Sequence, residues 1–166
     1  MTIETIPVGM LKANCYFVTQ NEKTIIIDPG DEFEKILKCS KGKNIVGILV
    51  THHHFDHITA LEKVEHHFHL THNPKNIEGF SFQVISTPGH SSDSISFYFE
   101  KENILFSGDF IFYHSIGRWD FETGNKKEMQ TSIKKIINYP KNMKIYPGHG
   151  ISTILQDELP FLNLYI

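Results

Sequence analysis

A chain of 166 residues with 40% hydrophobic and 21% charged residues has the ordinary make-up of a folded globular protein, and nothing in it indicates disorder. That length suits a single domain over residues 1–166, burying roughly 70% of the surface of its unfolded chain. The formal net charge is −3 and Arg118 is the only arginine, a balance that argues against a nucleic-acid partner.

No stretch approaches the roughly 20 apolar residues of a membrane span, and the N-terminus lacks the basic-then-apolar pattern of a signal peptide. A cytoplasmic protein with no membrane partner, monomeric or homodimeric, is expected. Cys15 and Cys39 have no metal-type spacing, and Cys15 lies in an apolar run that reads as core.

The opening is strand-rich. Ile3 to Ile6, Cys15 to Thr19 and Thr24 to Asp28 are short β-type runs broken at Gly9 and at Gln20-Asn21. Asp28-Pro29-Gly30 stops the third sharply, because Pro29 fixes its own φ and Gly30 allows a tight turn. Asp28 is therefore either a turn acid or an acceptor that orients a metal-bound histidine. Residues 32–38 carry Phe33, Ile36 and Leu37 on one helical face.

Ile45 to Val50 is a branched, apolar run that reads as a buried strand. It delivers Thr51-His52-His53-His54-Phe55-Asp56-His57 into a loop. Imidazole and carboxylate are the usual nitrogen and oxygen ligands of zinc or iron. In extended chain His52 and His54 point to one side, while Asp56 and His57 can turn toward a neighbouring point. Ile58 to Phe68 spaces Leu61, Val64 and Phe68 as one helix. His66, His67, His69 and His72 match no clean site and read as solvated.

The second half repeats the strand pattern of the first, with strands at Phe82 to Ser86, Ser94 to Glu100 and Ile104 to Ser107. Thr87-Pro88-Gly89-His90 ends the first of these and presents His90. Ser107-Gly108-Asp109 delivers a carboxylate, and Lys144-Ile145-Tyr146 runs into Pro147-Gly148-His149-Gly150. With His52, His54, Asp56 and His57, these make seven candidate ligands, the number two metals need if one carboxylate bridges. Asn125-Lys126-Lys127-Glu128 has the form of a capping box ahead of a helix with Met129, Ile133, Ile136 and Ile137 on one face.

These motifs resemble the metallo-β-lactamase superfamily, specifically its single-domain glyoxalase II-like members. The likeness runs nearly end to end, through Asn14-Cys15-Tyr16, Ile27-Asp28-Pro29-Gly30, the histidine run, Thr87-Pro88-Gly89-His90, Ser107-Gly108-Asp109, Gly117-Arg118 with Asp120, and Pro147-Gly148-His149-Gly150. It implies a mixed α/β (α+β) fold, the four-layer αββα sandwich. It also implies two divalent metal ions, zinc first, with iron or manganese as alternatives. His52, His54 and His90 would hold one, Asp56, His57 and His149 the other, and Asp109 would bridge them.

The chain departs from the family at Ile58-Thr59-Ala60, at Asp93 and at Asn163-Leu164, which bears on loop shape. It also stops soon after His149, without the C-terminal helical domain that holds glutathione in full-length glyoxalase II enzymes.

The expected activity is hydrolysis of a small thioester such as a hydroxyacyl-glutathione by a metal-bridging hydroxide, with Asp56 and Asp109 as the catalytic carboxylates. The alternatives are a mononuclear iron sulfur (persulfide) dioxygenase using His52, His90 and Asp109, or a lactone or ester hydrolase. Arg118 either binds a substrate carboxylate or pairs with Asp120.

Overall fold

Hairpins come first in each half of the chain, and a parallel crossover follows. The computed structural model describes residues 1–166, which divide into the units Met1–Ser81 and Phe82–Ile166. In the first unit β1 (Thr2–Val8) pairs antiparallel with β2 (Ala13–Gln20), and β2 with β3 (Lys23–Ile27). The two-residue turn between β2 and β3 uses Asn21 and Glu22, both at positive φ (49° and 63°), which matches the twist of a tight hairpin.

Helix α1 (Phe33–Ser40) then carries the chain over to β4 (Asn44–Leu49), parallel to β3, as a parallel pair requires. The sheet order is β1-β2-β3-β4. Ile36 of α1 packs with Phe17, Ile26 and Ile48, and Leu61 and Val64 belong to the same core.

Residues 58–68 are not one continuous helix. The chain forms a short α2 (Phe55–Ile58) and a separate α3 (Leu61–Phe68). The break has a local cause: the Ala60 N–H donates to the carbonyls of Pro29 and Gly30 instead of continuing the helical ladder. The helix-period pattern records only that Leu61 and Val64 are buried, which both arrangements satisfy.

The second unit repeats the plan. β5 (Gln83–Ser86), β6 (Ile95–Phe99) and β7 (Ile104–Gly108) are antiparallel neighbours. A small hairpin, β8 (Ile111–Phe112) with β9 (Ser115–Ile116), and helix α4 (Lys126–Ile136) follow. β10 (Lys144–Pro147) then returns parallel to β7.

The Asn125 side chain accepts hydrogen bonds from the N–H groups of Lys127 and Glu128, which is the N-cap half of the expected capping box. The Asn125 N–H goes to the Gly89 carbonyl instead of to Glu128. Met129, Ile133 and Ile136 are buried with Leu105 and Ile145 in the core of this unit. β11 (Thr153–Ile154) adds an edge, for the order β11-β10-β7-β6-β5, and α5 (Leu155–Leu162) contributes its own Leu155 and Leu162 to the core. The β8–β9 hairpin, β11 and α5 were not expected from the sequence.

Candidate metal centre

In the first unit the donors leave β4 together, and a side-chain clamp sets where the strand stops. Asn73 Oδ1 accepts from the Val50 N–H at 2.8 Å, and Asn73 Nδ2 donates to the Val50 carbonyl at 3.0 Å. One residue later the Thr51 N–H and hydroxyl both donate to Asp28, each at 2.7 Å.

Beyond this point the run alternates as expected. His52 and His57 are buried, His54 and Asp56 half-buried, and His53 and Phe55 exposed. The His52 ring centroid lies 4.8 Å from that of His54 and 4.3 Å from that of His57. His57 Nε2 lies 3.7 Å from Asp56 Oδ2.

Asp28 is more than a turn residue. It is buried, in the left-handed region (φ 52°) that aspartate tolerates better than most side chains. Its Oδ2 is 3.0 Å from His57 Nδ1. Gly30 is required by close approach: a Cβ there would lie 1.8 Å from the carbonyl oxygen of Asp56. The turn after β3 is thus moulded against the backbone that carries Asp56 and His57.

In the second unit three strand ends supply one donor each. His90 follows β5 on a loop pressed against α4, where the Asn125 N–H donates to the Gly89 carbonyl at 2.8 Å. Asp109 follows β7 directly. His149 follows β10, and the Gly148 N–H donates to the Gly108 carbonyl at 2.8 Å.

These three converge. His90 Nε2 and His149 Nε2 each lie 3.5 Å from the same oxygen, Asp109 Oδ2. The His90 Nδ1–H donates to the Arg118 carbonyl at 2.8 Å, which leaves Nε2 as the nitrogen that carries the lone pair. Gly117 is also held by approach, since a Cβ there would meet the Asp109 carbonyl oxygen at 1.8 Å. Phe121 sits edge-on to His90 and Phe112 to His149, with centroids 5.3 and 6.1 Å apart.

The Arg118 side chain grips Asp120 through two parallel bonds of 2.9 Å and lies over the Phe121 ring at 4.8 Å. The bidentate bond raises the guanidinium pKa and holds the Asp120 carboxyl below its usual range. Burial pushes the Cys15 thiol well up, so this side chain is core, as expected, and no nucleophile. His66, His67 and His69 are exposed, and His72 pairs with Glu65 at 2.8 Å.

The sequence reading missed three supports. The Thr51 hydroxyl, the Arg118 carbonyl and the Asn73 amide give no local signal, although Thr51 opens the histidine run and Arg118 stands in the Gly117-Arg118 motif.

The donor set fits a divalent cation. It is made of imidazole nitrogens and carboxylate oxygens, and His57 and His90 have Nδ1 anchored on an oxygen, the usual arrangement behind a metal-bound Nε2.

The chain belongs to the metallo-β-lactamase superfamily, whose family model matches residues 8–72 and 72–149. Its fold is the metallo-β-lactamase fold. It superposes on the crystal structure of BLEG-1 B3 metallo-beta-lactamase with a TM-score of 0.89 at 31% identity, covering 97% of this chain and 99% of that one. On TTHA1623, in a di-iron-bound form, the score is 0.83 at 29% identity, over 93% and 96% of the two chains.

Among curated relatives, "Probable metallo-hydrolase YqgX" of Bacillus subtilis (strain 168) is 34% identical over 95% of this chain and 96% of its own. "Hydroxyacylglutathione hydrolase GloC" of Haemophilus influenzae is 29% identical over 98% and 99%. The protein is accordingly a metallo-hydrolase of that superfamily, whose members bind divalent metals.

Proposed function

We propose that this protein hydrolyses small thioesters, with a hydroxyacyl-glutathione as the leading substrate, using two divalent metals. His52, His54 and His90 serve one metal, Asp56, His57 and His149 the other, and Asp109 is shared. The observation that carries this reading is Asp109 Oδ2, equidistant at 3.5 Å from the Nε2 atoms of His90 and His149. One carboxylate oxygen addressed by two imidazoles is what a shared ligand requires. The substrate class is supported by the Haemophilus influenzae relative, and iron is an alternative to zinc because the TTHA1623 structure is di-iron-bound.

Bound, the metals would bring the pKa of a water near neutrality and polarise the thioester carbonyl. The protein's own residues do the rest. Asp28 and the Arg118 carbonyl hold the His57 and His90 rings by Nδ1. Phe112 and Phe121 pack edge-on against the His149 and His90 rings and hold their orientation. Arg118 has two of its five N–H donors committed to Asp120, and the others meet a substrate carboxylate.

The test is an assay on protein of measured metal content. Two metals per chain with thiol release from S-lactoylglutathione is the expected result. One iron per chain, with oxygen uptake on glutathione persulfide and no thiol release, would overturn it.

A further inference from the structure

We propose that the Thr51 hydroxyl is a positioning group that locks the tautomer of His52, tying that ring to the same carboxylate that holds His57. The available protons fix the direction of each bond. A carboxylate oxygen accepts and does not donate, so the 2.7 Å contact between Thr51 Oγ1 and Asp28 Oδ2 consumes the single hydroxyl proton. The same hydroxyl oxygen lies 3.1 Å from His52 Nδ1. With its proton already given to Asp28, it can only accept there.

His52 Nδ1 must therefore carry the imidazole proton, and the lone pair is placed on Nε2. Asp28 Oδ2 also faces His57 Nδ1 at 3.0 Å, and by the same rule that ring donates. Asp28 Oδ1 meanwhile takes the Thr51 N–H at 2.7 Å.

A single buried carboxylate thus sets two imidazoles, one directly and one through a hydroxyl. Thr51 and Asp28 are 2% and 1% exposed, so water does not compete for these bonds. Threonine fits the position because its methyl is at home in the core while its oxygen is both donor and acceptor.

The inference deepens the proposed ligand assignment and rests on it in one respect: His52 and His57 belong to different metals. The Asp28 carboxylate then underlies both subsites, and the Thr51 hydroxyl only the first.

The tautomer is measured on metal-free, full-length protein carrying ¹⁵N-histidine, by long-range ¹H–¹⁵N correlation of the ring nitrogens. The parent and Thr51→Ser, which keeps the hydroxyl, should show His52 protonated at Nδ1. Thr51→Val, which keeps the shape, should move the His52 population toward the Nε2-protonated form and leave His57 unchanged. Parent protein with His52 protonated at Nε2, or Thr51→Val with an unaltered His52 pattern, overturns the proposal.

In a chelator competition, Thr51→Val should lose about 10–100-fold in affinity at one site and nothing at the other, with Thr51→Ser restoring it. Equal losses at both sites would overturn the division of labour. If the parent takes up no second metal, the two-metal reading fails by itself, and the ring spectra still decide the tautomer.

Discussion

Replacing Gly30 by alanine tests whether the turn after β3 and the histidine loop after β4 form one moulded piece. The added Cβ would stand 1.8 Å from the Asp56 carbonyl oxygen and 3.3 Å from His57 Cα. A carbon and an oxygen settle at roughly 3.3 Å, so the backbone of Asp56 must retreat by about 1.5 Å. No side-chain rotation relieves the clash, because the atom in the way is main chain. The bonds from the Ala60 N–H to Pro29 and Gly30 oppose the movement.

Overpacking of this kind costs about 1–3 kcal/mol, or roughly 2–12 °C of melting temperature for a chain of this size. A 1 Å misplacement near the chemistry costs on the order of 10²-fold in rate. Gly42→Ala is the control. Gly42 has φ +75° and no atom within 4 Å of the added carbon, so it pays only the left-handed backbone cost of about 1–2 kcal/mol.

Both variants should melt earlier by thermal unfolding of the metal-free protein. Only Gly30→Ala should also lose bound metal and kcat/KM. Gly30→Ala with parental metal content and rate would refute the reasoning.

Asp109→Ala should lose both metals and nearly all activity, since it removes the shared oxygen; two metals retained per chain by elemental analysis would contradict the sharing. Arg118→Ala should leave the melting temperature unchanged, return the Asp120 titration upward to the ordinary carboxylate range, and raise KM for anionic thioesters more than it lowers kcat; an unchanged KM would limit Arg118 to its pair with Asp120. Cys15, with its thiol pKa raised by burial, contributes stability that is complete below about pH 8.5, the ordinary thiol value, and is lost as pH rises above it, because the unfolded thiol ionises first. Cys15→Ala should therefore show a shallower fall in melting temperature between pH 8 and 10, and an identical slope would refute the effect.

Much of this arrangement was legible in the sequence because its signals are local. Branched apolar runs ending at Asp28, Thr51 and Asp109 mark strand ends, and Pro-Gly steps force the loops that present His90 and His149. The Asn125 cap and the face of Met129, Ile133 and Ile136 are equally local.

What stayed hidden depends on partners far apart in sequence. Asp28 could be a turn acid or a support, and only the fold brings Thr51 and His57 to it. Glu158 is buried beneath the N–H of His114, 44 residues away, and nothing near it announces that partnership. α5 has no side-chain cap and carries Pro160 within it, so helical signals fail there although Leu155 and Leu162 are buried. The break between α2 and α3 came from the carbonyls of Pro29 and Gly30, which no window around Ala60 includes.

The repeated strand plan has a practical consequence for anyone who engineers this chain. Asp28 and the histidine run follow the C-terminal ends of the parallel pair β3 and β4, and Asp109 and His149 follow those of the parallel pair β7 and β10. The turns at Asn21-Glu22, Lys41-Lys43 and Lys101-Asn103 feed the opposite ends of β3, β4 and β7, and they carry no ligand. A fluorophore, an affinity handle or new chain termini grafted at those turns would sit at the ends of β3, β4 and β7 away from the candidate ligands of the same unit.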